Sequence, residues 1–205
     1  MTNTFSKVAL LIVIMWSNFA WADESARQAV IDLVDAFRTD IVSDKVILAK
    51  DPVLLESRVD GVFSKVIDFD VFAKKIMGKY YRRAKPEQRI RFSTVTKDTL
   101  LKTYGNALLE LDPDKIKILP LGPQKNKREV KVDVDFQMDQ GGKLNISFLM
   151  AKSKKQVWQL SNVVINNINF GLTFRKQFGV MMSQNKNDID AAIDAWQQSL
   201  AKKPS

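Results

Sequence analysis

The chain contains no cysteine and no histidine in its 205 residues. Without histidine, Ser–His and Cys–His nucleophile pairs cannot be built, and no side chain titrates near neutrality at its ordinary pKa. Zinc loses its usual nitrogen and sulfur ligands. Carboxylate and lysine chemistry stay open. The absence of cysteine also excludes disulfides, so the fold must be held by its core. Long apolar runs are scarce too. The one at Val8–Met15 follows a short start carrying Lys7 and precedes Ala20-Trp21-Ala22, a small-x-small cleavage pattern before Asp23. It is too short to span a bilayer. Residues 1–22 are therefore expected to be a signal peptide, and 23–205 one exported, soluble domain.

What is present agrees with a globular domain. A hydrophobic content of 45% beside 27% charged residues excludes a disordered chain. The formal net charge is +9, one unit of it from Lys7, which predicts affinity for anionic surfaces such as lipid headgroups or an acidic protein. Export argues against nucleic acid as the partner. The basic residues are scattered, and no Gly-rich phosphate loop or RNA-binding aromatic signature accompanies them.

The first half reads as helices. Val30, Ile31, Val34, Phe37 and Ile41 form one helical stripe. Asp51-Pro52 reads as an N-cap and first turn, opening a helix that buries Leu55, Val59, Val62, Phe63 and Val66. A short helix follows Asp68 and ends near Gly78, and a long one runs from Lys85-Pro86-Glu87 to about Leu111 through Ile90, Val95, Leu101, Tyr104 and Leu108. After Pro113 the period changes to two. Ile116 and Ile118 mark a first strand, Val130–Phe136 a second and Leu144–Met150 a third, with Gly141-Gly142 as a hairpin turn. A further strand runs from Val157 to Ile165, and two helices, Leu172–Met182 and Asp188–Leu200, close the chain. Helices, an antiparallel meander and helices again make an α+β domain, whose apolar faces should meet in a common interior. Periodicity does not distinguish a filled interior from a hollow one.

Several clusters invite a chemical reading. Tyr80-Tyr81-Arg82-Arg83 has the donors of a phosphate clamp, but neighbours on a helix point in different directions; one tyrosine packed inside with the arginines in solvent is the expected arrangement. Asn162, Asn166, Asn167 and Asn169 suit a strand turning into a helix. Asp133 and Asp135 alternate with Val132, Val134 and Phe136, which puts them on the solvent side and argues against an acid–base pair.

The segment Gly78-Lys79-Tyr80-Tyr81-Arg82-Arg83-Ala84-Lys85-Pro86-Glu87-Gln88-Arg89, continuing through Phe92 to Tyr104-Gly105-Asn106-Ala107-Leu108, resembles the MlaC family of periplasmic phospholipid-binding proteins. Val157-Trp158-Gln159-Leu160 and Phe174-Arg175-Lys176-Gln177-Phe178 are similar to that family's Trp-led strand and later helix. The chain departs from the pattern at Asn162, where the family usually has Asp, and at Asn167-Ile168-Asn169, where it favours Gly-Val-Ser. The resemblance implies a curved sheet wrapped by helices, similar to an NTF2-like cone, enclosing an apolar cavity. It implies a non-enzymatic, monomeric carrier without a cofactor, whose cargo is phospholipid and whose site is the periplasm. Met77, Tyr81, Tyr104, Val132, Val134, Phe136, Phe148 and Met150 would line the tail compartment. The implied partners are an outer-membrane lipoprotein complex and an inner-membrane ABC transporter complex with an MCE-domain protein, in the upkeep of outer-membrane lipid asymmetry. The alternative is an exported basic adaptor with a solid core.

Overall fold

Asp51 and Asp68 open consecutive helices by the same device. Each has an extended backbone and a carboxylate that accepts from amides of the first turn, Val53 and Leu54 for Asp51 and Val71 for Asp68. They start α3 (Pro52–Phe63) and α4 (Phe69–Met77). The computed structural model describes residues 24–124, 128–138 and 141–201, without the side chains of Tyr104 and Ala107; the expected signal peptide lies outside these residues.

Ahead of α3 lie α1 (residues 24–37, running on into a π-turn at Arg38–Val42) and a short α2 (Lys45–Leu48) that the periodicity did not reveal. The buried stripe of α1 is Ala26, Val30, Leu33, Phe37 and Ile41, so Leu33 takes the place expected for Ile31 and Val34. Gly78 closes α4 with φ +54° and ψ −120°, a conformation open to glycine alone. A 3-10 turn at Gly78–Tyr80 then leads to α5 (Pro86–Leu108). Within α5 the expected apolar position Ile90 is 66% exposed, while Phe92 is wholly buried.

The sheet is an antiparallel meander in the order β1 (Ile116–Ile118), β2 (Val130–Gln137), β3 (Lys143–Lys152), β4 (Trp158–Ile165) and β5 (Ile168–Asn169). Gly141 and Gly142 turn the β2–β3 hairpin at positive φ, as their sequence predicts. Register puts Val130, Val132, Val134 and Phe136 opposite Met150, Phe148, Ile146 and Leu144, so both strands present one apolar face. Between β3 and β4 the register slips: Met150 pairs with Leu160 but Leu149 with Asn162, leaving Ser161 as an extra residue. The slip turns Leu160, Val163 and Ile165 to the same face. Helices α6 (Phe170–Gln184) and α7 (Ile189–Ala201) follow.

The expected common interior is divided in two. In the first core, α1, α2 and α3 cover the sheet, burying Val30, Phe37, Ile41, Leu55 and Val59 against Val130, Val132, Val134 and Met150. Arg27 Nε to the Leu119 carbonyl (3.1 Å) and Trp158 Nε1 to Ser25 Oγ (2.8 Å) lash α1 to it. The second core is helical, with α4, α5, α6 and α7 meeting on Phe92, Phe178 and Trp196. It forms separately because Phe92, Phe178 and Trp196, aromatic residues on three helices, pack on one another. None of the helices among the described residues is long and apolar enough to cross a membrane.

Candidate functional site

Between the two cores lies an apolar cleft of about 350 Å³. Phe69 and Phe72 of α4 and Phe170 and Phe174 of α6 form one wall, a run of edge-to-face rings with centroids 5.7 to 6.5 Å apart. Leu160, Val163 and Ile165 of β4 form the opposite wall, and Ile67 and Leu100 complete it. Each of these side chains is only half-buried. Apolar groups that neither pack fully on one another nor face open solvent mark a space for an apolar ligand. Asn162 is the one polar residue on the lining.

The sheet wall depends on the bulge at Ser161. Without it, Val163 and Ile165 would point to the outer face beside Asp133 and Asp135. The mouth is held by the asparagine cluster. Asn166 and Asn167 take positive φ, 45° and 66°, to turn the chain. Asn169 caps α6 by accepting from the Leu172 amide at 3.0 Å. Asn162 donates to Asn169 Oδ1 at 2.8 Å and accepts from the amides of Gly171 and Val163, both at 2.9 Å. These residues therefore serve the turn expected of them, and one of them also borders the cleft.

The residues expected to line a tail compartment stand as follows. Val132, Val134 and Met150 are buried in the first core, with Phe136 and Phe148 half-buried on the same sheet face. Met77 is buried in the second core, and Tyr81 packs at its edge with the Arg89 guanidinium 4.5 Å from its ring centre. The Tyr104 side chain lies outside the described residues. None of the seven described positions borders the cleft itself. Phe148 and Met150 are its cross-strand neighbours, paired with Val163 and Leu160. The lining residues missed in sequence sit on β4, α4, α5 and α6, with Ile67 just ahead of α4; the one trace, on β4, was the adjacent polar pair Ser161-Asn162 interrupting an apolar strand.

Tyr80 is the tyrosine packed inside, edge-on to Phe178, while Arg82 and Arg83 are exposed, as expected. The expectation for Asp135 needs correction. It is not freely hydrated: its side chain is 13% exposed, covered by Asn145 (2.6 Å) and Lys143 (3.1 Å) from the neighbouring strand. Asp133 is held by Ser147 and Lys131. Both carboxylates stand on the sheet face turned away from the cleft, bonded into the strand pairing.

Three comparisons place this architecture. A family model described as MlaC protein matches residues 32–198. Toluene tolerance protein ttg2D of Pseudomonas putida is 32% identical over 182 residues, covering 86% of this chain and 84% of its own. A phospholipid-binding protein of Ralstonia solanacearum, solved in complex with a phospholipid, shares the fold with a TM-score of 0.69 at 20% identity, over 88% of this chain and 99% of that one. With the family model spanning both cores and the cleft between them, the chain belongs to the MlaC family.

Proposed function

We propose that this protein is a periplasmic phospholipid carrier that shields acyl chains while moving lipid between the outer and inner membranes. The observation that carries the reading is the cleft, nine apolar side chains held half-buried around one space by two separate cores. At about 0.8 kcal/mol per buried CH₂, two chains of about fifteen carbons represent on the order of 20 kcal/mol when exposed to water. Such a load crosses an aqueous space only inside an apolar compartment, and leaves only into another one. The reading thus implies docking partners with apolar conduits, an outer-membrane lipoprotein complex and an inner-membrane ABC transporter complex with an MCE-domain protein. It implies no bond making, no cofactor and a monomer in transit.

The proposed compartment extends beyond the cleft along the rows of the sheet. Val163 is followed across the strands by Phe148 and Val132, Ile165 by Ile146 and Val134, and Leu160 by Met150 and Val130. A longer tail follows these rows towards Phe136, parting α1 and α3 from the sheet. Tyr104 of α5 would bound it from the helices, whereas Met77 and Tyr81, packed in the second core, stand apart from this path. The family membership and the likeness in fold to a structure holding a phospholipid support this assignment.

Native mass spectrometry after gentle purification tests it. Glycerophospholipid should accompany the chain, and Leu100→Trp or Val163→Trp, which fill the cleft without adding charge, should remove much of it while the fold survives. A fully stable protein free of lipid from a lipid-rich source would sink the reading in favour of a basic adaptor with a solid core.

A further inference from the structure

Arg175 lies with its guanidinium against Gly78, so close that a Cβ on that glycine would sit 2.6 Å from Nε and 2.9 Å from Cζ and Nη2. The glycine cannot be exchanged freely, because its φ of +54° and ψ of −120° suit no other residue. The lack of a side chain at Gly78 is thus what lets the Arg175 guanidinium lie this close to the backbone. Arg175 makes no hydrogen bond or ion pair among the described residues, in contrast to Arg38, Arg91 and Lys97, each paired with a carboxylate.

Around it the surface is concave, and every charged residue lining it is cationic. Two adjoining hollows of about 770 and 490 Å³ share Lys79 and Arg175 on the ridge between them. Lys176 joins on one side, Lys74, Lys75 and Arg82 on the other, and no carboxylate lines either hollow. Cations gathered at one place without counter-charge raise the local potential for an anion. The larger hollow also has an apolar component, with Leu172 and Val180 55% and 54% exposed beside the charges. Phosphate attached to a glycerol and acyl chains has that mixed character; a free ion does not.

The position relative to the cleft narrows the choice further. Phe72 and Phe174 face the cleft, while Lys74, Lys75 and Arg175 of the same two helices face the groove. The apolar space and the cationic one therefore occupy two flanks of a single helix pair, about a helix diameter across.

We propose that the groove centred on Arg175 binds the phosphate of a phospholipid headgroup, with Arg175 as the forked donor and Lys79, Lys74 and Arg82 supplying charge around it. The source of the phosphate rests on the carrier reading above; the anion site itself rests on the groove. Of the charges, the motif Tyr80-Tyr81-Arg82-Arg83 contributes Arg82; Lys79, the residue before it, comes from the 3-10 turn, and the rest from α4 and α6.

The test uses the full chain, stripped of lipid and refolded, titrated with glycerophosphoethanolamine, a headgroup without tails, and separately with inorganic phosphate. The Gly78 amide and the Arg175 Nε–H are followed by NMR. Saturable shifts at both are expected, with Arg175→Gln weakening binding about tenfold and Arg175→Lys restoring part of the loss. Absence of saturable shifts, or unchanged binding by Arg175→Gln, overturns the site. Inorganic phosphate binding as tightly as the headgroup overturns its assignment to lipid. Lipid content of the unstripped protein is measured in parallel, so that a lipid-laden chain without a headgroup shift rejects the groove and leaves the carrier reading intact.

Discussion

Asn162 donates from Nδ2 to Oδ1 of Asn169 at 2.8 Å, and so fastens the fourth strand to the cap of the helix that walls the cleft. The orientation of both amides is fixed by their other bonds. Asn169 Oδ1 must accept from Leu172, and Asn162 Oδ1 accepts from Gly171. Asn162→Asp removes the donor and sets two acceptors against each other. A loss of about 1–3 kcal/mol is expected in urea denaturation. Gly171→Ala should act on the same knot, since its Cβ would meet Asn162 Oδ1 at 2.7 Å.

Trp196 offers a second prediction, for the helical core. Its Nε1 donates to Thr96 Oγ1 at 2.9 Å, with both side chains buried between α5 and α7. Thr96→Val keeps shape and volume but leaves the indole N–H without an acceptor. Stability should fall by about 1–3 kcal/mol, and Thr96→Ser should retain most of it. Equal losses from both variants would show that packing, not the hydrogen bond, is what Thr96 supplies.

Most elements were legible in the sequence because local rules govern them. Asp51 and Asp68 are caps wherever such a carboxylate precedes a helical stripe, and Gly141-Gly142 turns a hairpin because both positions need positive φ. The cleft was not legible. Strict alternation along Trp158–Ile165 groups Leu160 with Asn162 and Val164, but the slip at Ser161 regroups it with Val163 and Ile165. A bulge is a property of the strand pair, so one strand's pattern records it only as a pair of adjacent polar residues. The division into two cores was hidden for a related reason: stripes say that helices bury a face, not which partner they bury it against. Short α2 lacks enough residues to show a period at all.

Asp60 gives the fold an acid-sensitive contact. Burial pushes its carboxyl up, but hydrogen bonds from Lys97, at 2.7 Å, and from Ser64, with the Lys97 charge, outweigh burial and hold it below its ordinary value. On the α5–α7 seam, Asp190 is held low by Gln88, then Arg91, while the Arg91 guanidinium is held high chiefly by Asp194. A carboxylate whose folded-state pKa is depressed contributes stability that is complete above its unfolded value and disappears as pH falls through the folded one. Lys97→Met should therefore destabilise the protein at about pH 7, and its deficit against the parent should shrink as pH drops below about 4. Denaturation midpoints across that range check the sign; a deficit independent of pH would assign the loss to the lysine's packing on Phe69, 5.9 Å from its ammonium.

The slip at Ser161 makes the last prediction a matter of parity. Val163 pairs with Phe148 on the face that walls the cleft, whereas Val164 pairs with Ser147 on the face carrying Asp133 and Asp135. Val163→Asp places a charge against apolar rings, and a desolvated charge there should expel lipid. Phe148→Asp, one strand further along the same row, should lower lipid occupancy as well. Val164→Asp puts the same charge one residue on and should leave the lipid load near that of the parent. Circular dichroism confirms that each variant is folded before its lipid is weighed by native mass spectrometry. If Val164→Asp loses its lipid and Val163→Asp keeps it, the strand runs in simple alternation, and the wall of the cleft is not the face assigned to it.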